Sequence, residues 1–214
     1  LTRPPRGDRL AILTNGGGIG VLATDALMDL GGHLAELSPA TLEALDDAGL
    51  MPLPSKQAAR TGVIVGGGAG GMLECEPVYS RYLQGGAQRM PVSLFASFSC
   101  ASSADHIATL LNLGGPKTTF MTACSSGATA IGYARDLIQM GAADVVVCGG
   151  TEPLCRITYA AFNALQAVDP TYCRPFDRDR RGLSLGEGAG VLILESLNHA
   201  RQRGATIYAE LLGF

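Results

Sequence analysis

The chain has 214 residues, a formal charge of -3 and 47% hydrophobic content, enough apolar material to bury a core as one large domain or two small ones. That charge balance gives no reason to expect nucleic acid or an anionic membrane surface as a partner. No apolar run is long enough to span a bilayer and the amino-terminal residues lack the layout of a secretory signal, so a cytosolic location is expected.

Residues 1–8 form a polar lead-in, 9–14 are apolar enough for a strand, and 15–20 make a glycine-rich corner. Residues 21–30 then read as a helix with Leu22, Ala26 and Leu30 on one side. Such a unit can cradle a phosphate on helix amides, or it can be an ordinary βα turn. A dinucleotide fingerprint fits at Gly18, Gly20 and Ala23, with Glu36 the acidic residue near the expected ribose position. His33 follows two glycines and is read as facing solvent. Residues 43–50 read as a helix with an Ala48-Gly49-Leu50 ending, and 51–57 as a loop.

Residues 61–65 are a β-branched strand leading into the glycine run 66–71. Gly66, Gly68 and Gly71 also satisfy a dinucleotide spacing, but residues 84–98 hold no Asp or Glu to serve the ribose. Residues 73–83 read as a helix broken by Pro77, 90–103 as a loop of small and hydroxyl residues, and 104–113 as a helix. His106 in that helix is read as a packing or hydrogen-bonding residue.

Residues 118–122 form a short apolar strand that runs through Cys124 into a helix, its apolar positions recurring from Ala128 until Gly141. Ser125 and Ser126 are expected to cap the helix amides. A thiol at such a corner sits near free N–H groups and the positive end of the helix dipole, which favours the thiolate and makes Cys124 a candidate nucleophile. The small residues Ala123, Ser125, Ser126, Gly127 and Ala128 leave room for a carbonyl to approach, and the amide of Cys124 itself can stabilise an oxyanion. The competing reading makes Cys124 a core filler, since free cysteine is among the most buried residue types.

Residues 145–148 are a continuous apolar run typical of a buried parallel strand, with 149–152 as its corner and Glu152 either an acid-base group beside the thiol or a structural acceptor at a helix start. Residues 174–181 form a charge-dense loop that either draws an acidic partner or pairs with itself. Residues 182–194 read as strand, turn and strand, 196–203 as a helix with His199 on its polar side, and 207–214 as the start of a further strand. Cys75, Cys100, Cys148, Cys155 and Cys173 are read as packed thiols; a disulfide framework and a metal site are not expected.

Four motifs together resemble the β-ketoacyl-(acyl carrier protein) synthases: the Cys124 stretch at 122–127, residues 141–152, Arg174 to Asp177, and Gly186 to Gly190. The resemblance covers residues 58–214 and implies a thiolase-like α/β fold, present as the central part of its amino-terminal half. It implies Cys124 as the acyl-accepting nucleophile, Ala123 and Phe162 as substrate contacts, and no cofactor. Core packing is the rival role for Phe162. The implied partners are an acyl carrier protein, acyl and malonyl thioesters, and a second copy of the chain paired through the strand 118–122. The implied reaction is acyl transfer to Cys124, then decarboxylative Claisen condensation in fatty acid or polyketide synthesis. The two histidines and the lysine that serve decarboxylation belong to the family's carboxyl-terminal half, so the isolated chain is expected to be acylated but inactive in condensation.

Residues 8–48 resemble instead a fragment of the flavodoxin-like CoA-ligase domain of nucleoside-diphosphate-forming acyl-CoA synthetases. The two resemblances meet within residues 38–50, and the chain is read as a chimera of a βα segment, 1–50, and a partial synthase domain, 51–214. Two other functions stay open: a non-catalytic dimerising or carrier-binding remnant, and a CoA- or nucleotide-binding protein using its glycine corners.

Overall fold

The computed structural model describes residues 39–85 and 99–214. The strand, glycine corner and helix expected over residues 9–30, with His33 and Glu36, lie outside the described residues, as does most of the loop expected from 90 to 103.

The architecture follows from the β-branched runs. Strands β1 (Thr61–Gly66), β2 (Lys117–Phe120), β3 (Val145–Glu152) and β4 (Gly188–Glu195) make one sheet in the order β2-β1-β3-β4. The first three are mutually parallel and β4 is antiparallel to β3. All six residues of β1 are buried, as a strand covered on both faces requires. Side chains alternate across the sheet. Val63, Val65, Val145 and Val147 pack on one face with Leu45, Leu50 and Ile107, while Ile64, Val146 and Cys148 pack on the other with Ala130, Ala134 and Leu137. Each fully buried aliphatic side chain contributes about 1.5–3 kcal/mol, and a one-residue slip of β1 would exchange its two faces, so the pattern fixes the register.

The helices form the outer layers. Helix α1 (Pro39–Asp47) and, beyond the short α2 (Ser55–Ala58) and α3 (Met72–Leu83), helix α4 (Ser102–Leu110) supply the first face; α5 (Ser126–Gln139) covers the second. Helix α6 (Arg156–Ala164) follows β3 and has no fully buried residue, and α7 (Leu197–Gln202) follows β4. The parallel strands β1, β2 and β3 end at the same edge of the sheet, so the corners after Gly66, Phe120 and Glu152 gather there.

Residues 55–57, expected within a loop, open helix α2 instead, and four further expectations are corrected. Helix α3 runs through Pro77 without a break, because a proline removes one ladder bond while neighbouring turns keep theirs. Examples are Cys75 N–H to Gly71 O at 3.3 Å and Gln84 N–H to Ser80 O at 3.2 Å. Residues 149–152 are the end of β3 and not a corner, since they pair with β4 from Gly149↔Val191 to Glu152↔Gly188. In the segment 182–194 the first strand shrinks to an isolated bridge, Val168↔Leu183, and only β4 is a full strand. Residues 207–214 form no regular element: they pair with neither edge of the described sheet, and Tyr208 Oη donates to Asp47 Oδ1 at 3.0 Å instead.

Candidate active site

The chain leaves β2 at Phe120, passes Met121 and Thr122, and turns through a single 3-10 turn, Ala123–Ser125, directly into α5. Cys124 is the middle residue of that turn and is exposed. Ala123 before it has φ 52, a left-handed conformation that costs a residue with a side chain roughly 1–2 kcal/mol. Something must hold it, and hydroxyls do. Ser126 Oγ accepts the N–H of Thr122 at 2.9 Å and donates to the carbonyl of Ala123 at 2.7 Å. Ser125 Oγ donates to the carbonyl of Thr122 at 2.8 Å, and the hydroxyls of Thr122 and Thr129 are 3.0 Å apart.

These bonds correct the capping expectation. The amino terminus of α5 has no side-chain cap, because both serines are turned back to brace the corner. Its amides and the positive end of its dipole are left to act beside the thiol. Missing side chains let the helix descend that far. A Cβ on Gly66 would overlap the carbonyl of Ser126, and one on Gly150 would lie 3.2 Å from Gly127 Cα. Helix α5 also meets β2 through an edge-to-face pair, Phe120 and Tyr133, with ring centroids 5.2 Å apart.

The other cysteines differ from Cys124 in their surroundings. Burial pushes the Cys148 thiol up to about 12. Cys155 is 1% exposed and lies 2.8 Å from the Thr158 hydroxyl. Burial, then the charges of Glu74 and Glu152 respectively, pushes Cys75 and Cys100 upward. Cys173 is half-buried.

Glu152 lies at the same edge of the sheet. Its carboxylate accepts the N–H of Gly68 at 2.8 Å and of Ala69 at 2.6 Å, so the glycine turn that could hold a phosphate on those amides already holds a carboxylate. Among the sequence-level candidates, Ala123 adjoins the thiol, and Phe162 is half-buried on α6, the helix reached from the same edge. His106 is on α4, across the sheet from α5. His199 is at the far end, because Glu195, its partner at 2.6 Å, pairs with the first residue of β3. Burial alone would raise the Glu195 carboxyl, but hydrogen bonds and charge from Arg203 and His199 hold it below its ordinary range. Sequence reading misses the left-handed Ala123 and the bracing role of Ser126; the small residues at 66, 127 and 150 are the signal that could have located the close approach.

A mixed sheet of three parallel strands and one antiparallel strand, with helices on both faces and a thiol at the strand-to-helix corner, defines an incomplete α/β fold of thiolase-like type. The family model for the β-ketoacyl synthase N-terminal domain matches residues 28–200, and the chain belongs to that family. It is 41% identical over 179 residues to a 3-oxoacyl-[acyl-carrier-protein] synthase 2 of Rhizobium meliloti (strain 1021), covering 80% of this chain and 42% of the relative. The chain thus spans less than half the length of that relative. The solved ishigamide ketosynthase/chain length factor superposes with a TM-score of 0.75 at 37% identity, over 81% of this chain and 43% of that one. A type II polyketide synthase ketosynthase solved in complex with its acyl-carrier protein gives 0.71 at 31% identity, over 79% and 44%.

Proposed function

We propose that the chain is the nucleophile-bearing half of a condensing enzyme, in which Cys124 takes an acyl group from a carrier-protein thioester in fatty acid or polyketide synthesis. The observation that carries this reading is the exposed Cys124 thiol between left-handed Ala123 and the uncapped head of α5. Ala123 and Phe162 are the substrate contacts of this reading. In the complete enzyme the acyl group then meets a carbanion formed by decarboxylation of a malonyl thioester. None of His33, His106 and His199 matches the histidines that serve that step, so the chain alone accepts an acyl group and stops.

The partners follow from the same reading. An acyl carrier protein delivers the thioester, as the carrier-bound ketosynthase among the structural relatives suggests. The arginine-rich loop is one place for an acidic carrier to dock, since Arg174 and Arg180 there bond main-chain carbonyls of Asp179 and Asp177 and not their carboxylates. A second copy of the chain pairs along β2, which ends the described sheet. The cytosol is the proposed compartment; among the described residues no helix is long and apolar enough to cross a membrane.

A segment of separate origin is proposed at the amino terminus, expected over residues 1–50 with a join within 38–50 but shorter than that. Helix α1 shares its core with β1 and β3, and the family match starts at residue 28, so a join lies ahead of α1.

The test of function is incubation with an acyl thioester followed by mass spectrometry of the intact protein and its peptides. One acyl adduct on Cys124, lost in Cys124→Ala, is expected; an adduct that survives this substitution refutes the assignment.

A further inference from the structure

Ser126 is 4% exposed and stands at the first position of α5. Its one hydroxyl makes two bonds to the turn, accepting from the Thr122 N–H and donating to the Ala123 carbonyl. That carbonyl belongs to the peptide linking Ala123 to Cys124. In a trans peptide the C=O and N–H lie in one plane and point in opposite directions. With the carbonyl turned inward to buried Ser126, the N–H of Cys124 points outward, on the side where Ala123 and Cys124 are exposed. A hydrogen bond to the carbonyl also polarises the amide and strengthens its N–H as a donor. The seat of Ser126 is itself fixed, since its backbone rests on the space that a side chain at Gly66 would fill.

We propose that Ser126 is a positioning residue, which aims and polarises the Cys124 N–H toward the oxyanion formed when Cys124 attacks a thioester carbonyl. The inference rests on the reading of Cys124 as the acyl acceptor. In that step the Cys124 sulfur bonds to the carbonyl carbon and the carbonyl oxygen becomes an oxyanion. The tetrahedral intermediate then collapses, the donor's carbon–sulfur bond breaks, and the thiol proton of Cys124 leaves with the departing thiol.

Two reactions at the same sulfur separate this role from a merely structural one. Acylation by S-hexanoyl-N-acetylcysteamine develops an oxyanion, whereas alkylation by iodoacetamide displaces iodide and develops none. In the full chain, Ser126→Ala is expected to slow acylation of Cys124 on the order of 10-fold or more while alkylation keeps its rate. Ser126→Thr, which restores the hydroxyl, recovers acylation. If the alanine variant does not fold, Ser126→Cys carries the same comparison, because its S–H is only a weak donor. Equal slowing of the two reactions, or acylation at the wild-type rate, overturns the proposal and leaves the Cys124 reading standing. A wild-type chain that takes no acyl group at Cys124 overturns both.

Discussion

Gly66 at the end of β1 and Ser126 at the head of α5 lie in backbone contact, so that a Cβ on Gly66 would overlap the Ser126 carbonyl. The strand and helix cannot both keep their places if residue 66 acquires a side chain. Gly66→Ala is expected to cost about 1–3 kcal/mol as an overpacked site. Gly190→Ala serves as the control, because a Cβ there meets nothing within 4 Å; it should stay within about 0.5 kcal/mol. Urea unfolding midpoints compare the two, and equal midpoints would show that the corner has slack.

The Glu152 carboxylate ties the glycine turn to β3 through two N–H groups. Glu152→Gln keeps the shape but replaces one acceptor oxygen by a donor facing an N–H, and is expected to cost about 1.5–3 kcal/mol. The same geometry bears on ligands. Adding inorganic phosphate or a nucleotide should leave the thermal unfolding temperature of the wild type unchanged, because Glu152 already occupies those two amides. A stabilising shift that grows with ligand concentration would revive the nucleotide-binding reading.

Much of this frame is legible in the sequence. The Val145-Val-Val-Cys148 run and the strand at 61–65 declare a buried parallel sheet, and the spacing from Ala128 to Ile138 declares α5. Non-local facts are not legible. The glycines at 149 and 150 read as a turn until their antiparallel partners in β4 are known. Alanine carries no signature of a left-handed φ, so the strain at Ala123 is invisible in the sequence. Serines at 125 and 126 look like caps, and only in the fold are they turned back toward Thr122 and Ala123. Whether residues 207–214 become a strand depends on a neighbour that local pattern does not name.

Glu74, in the first turn of α3, is pushed up to about 6 by burial, and its Oε2 has no hydrogen-bond partner. The folded chain therefore holds this proton more tightly than the unfolded one. The resulting stabilisation is full below the ordinary carboxylate pKa and is lost as pH rises through about 6. Glu74→Gln removes the penalty of the buried charge. It should raise stability by about 1 kcal/mol above that pH, allowing for partial exposure, and change little at low pH. Denaturation at a series of pH values checks this, and parallel curves for the two proteins would exclude Glu74 as the titrating group.

Thiol reactivity follows exposure and ionisation together. Brief treatment with limiting iodoacetamide at neutral pH should place the first adduct on Cys124, with half-buried Cys173 slower. Cys148 and Cys155, each 1% exposed, should react only after unfolding in urea, when all six thiols become available. Peptide mapping reads the order; Cys75 or Cys100 reacting ahead of Cys124 would contradict the geometry.

The edge of β2 gives the sharpest test of self-association. Phe120 O accepts from Gly67 N–H and Pro116 O accepts from Val63 N–H, at 3.1 and 2.9 Å. In a strand, backbone groups alternate in direction, so those of Thr118 also face β1 while those of Lys117 and Thr119 face the open edge. Thr119→Pro therefore removes a donor that a second copy would use and spares the β1 ladder. Thr118→Pro removes a ladder bond instead and should cost about 1 kcal/mol or more. If copies pair along this edge, light scattering after size-exclusion chromatography should give a dimer for the wild type and a folded monomer for Thr119→Pro. A Thr119→Pro chain that remains dimeric would move the contact to another surface, and a monomeric wild type would remove it.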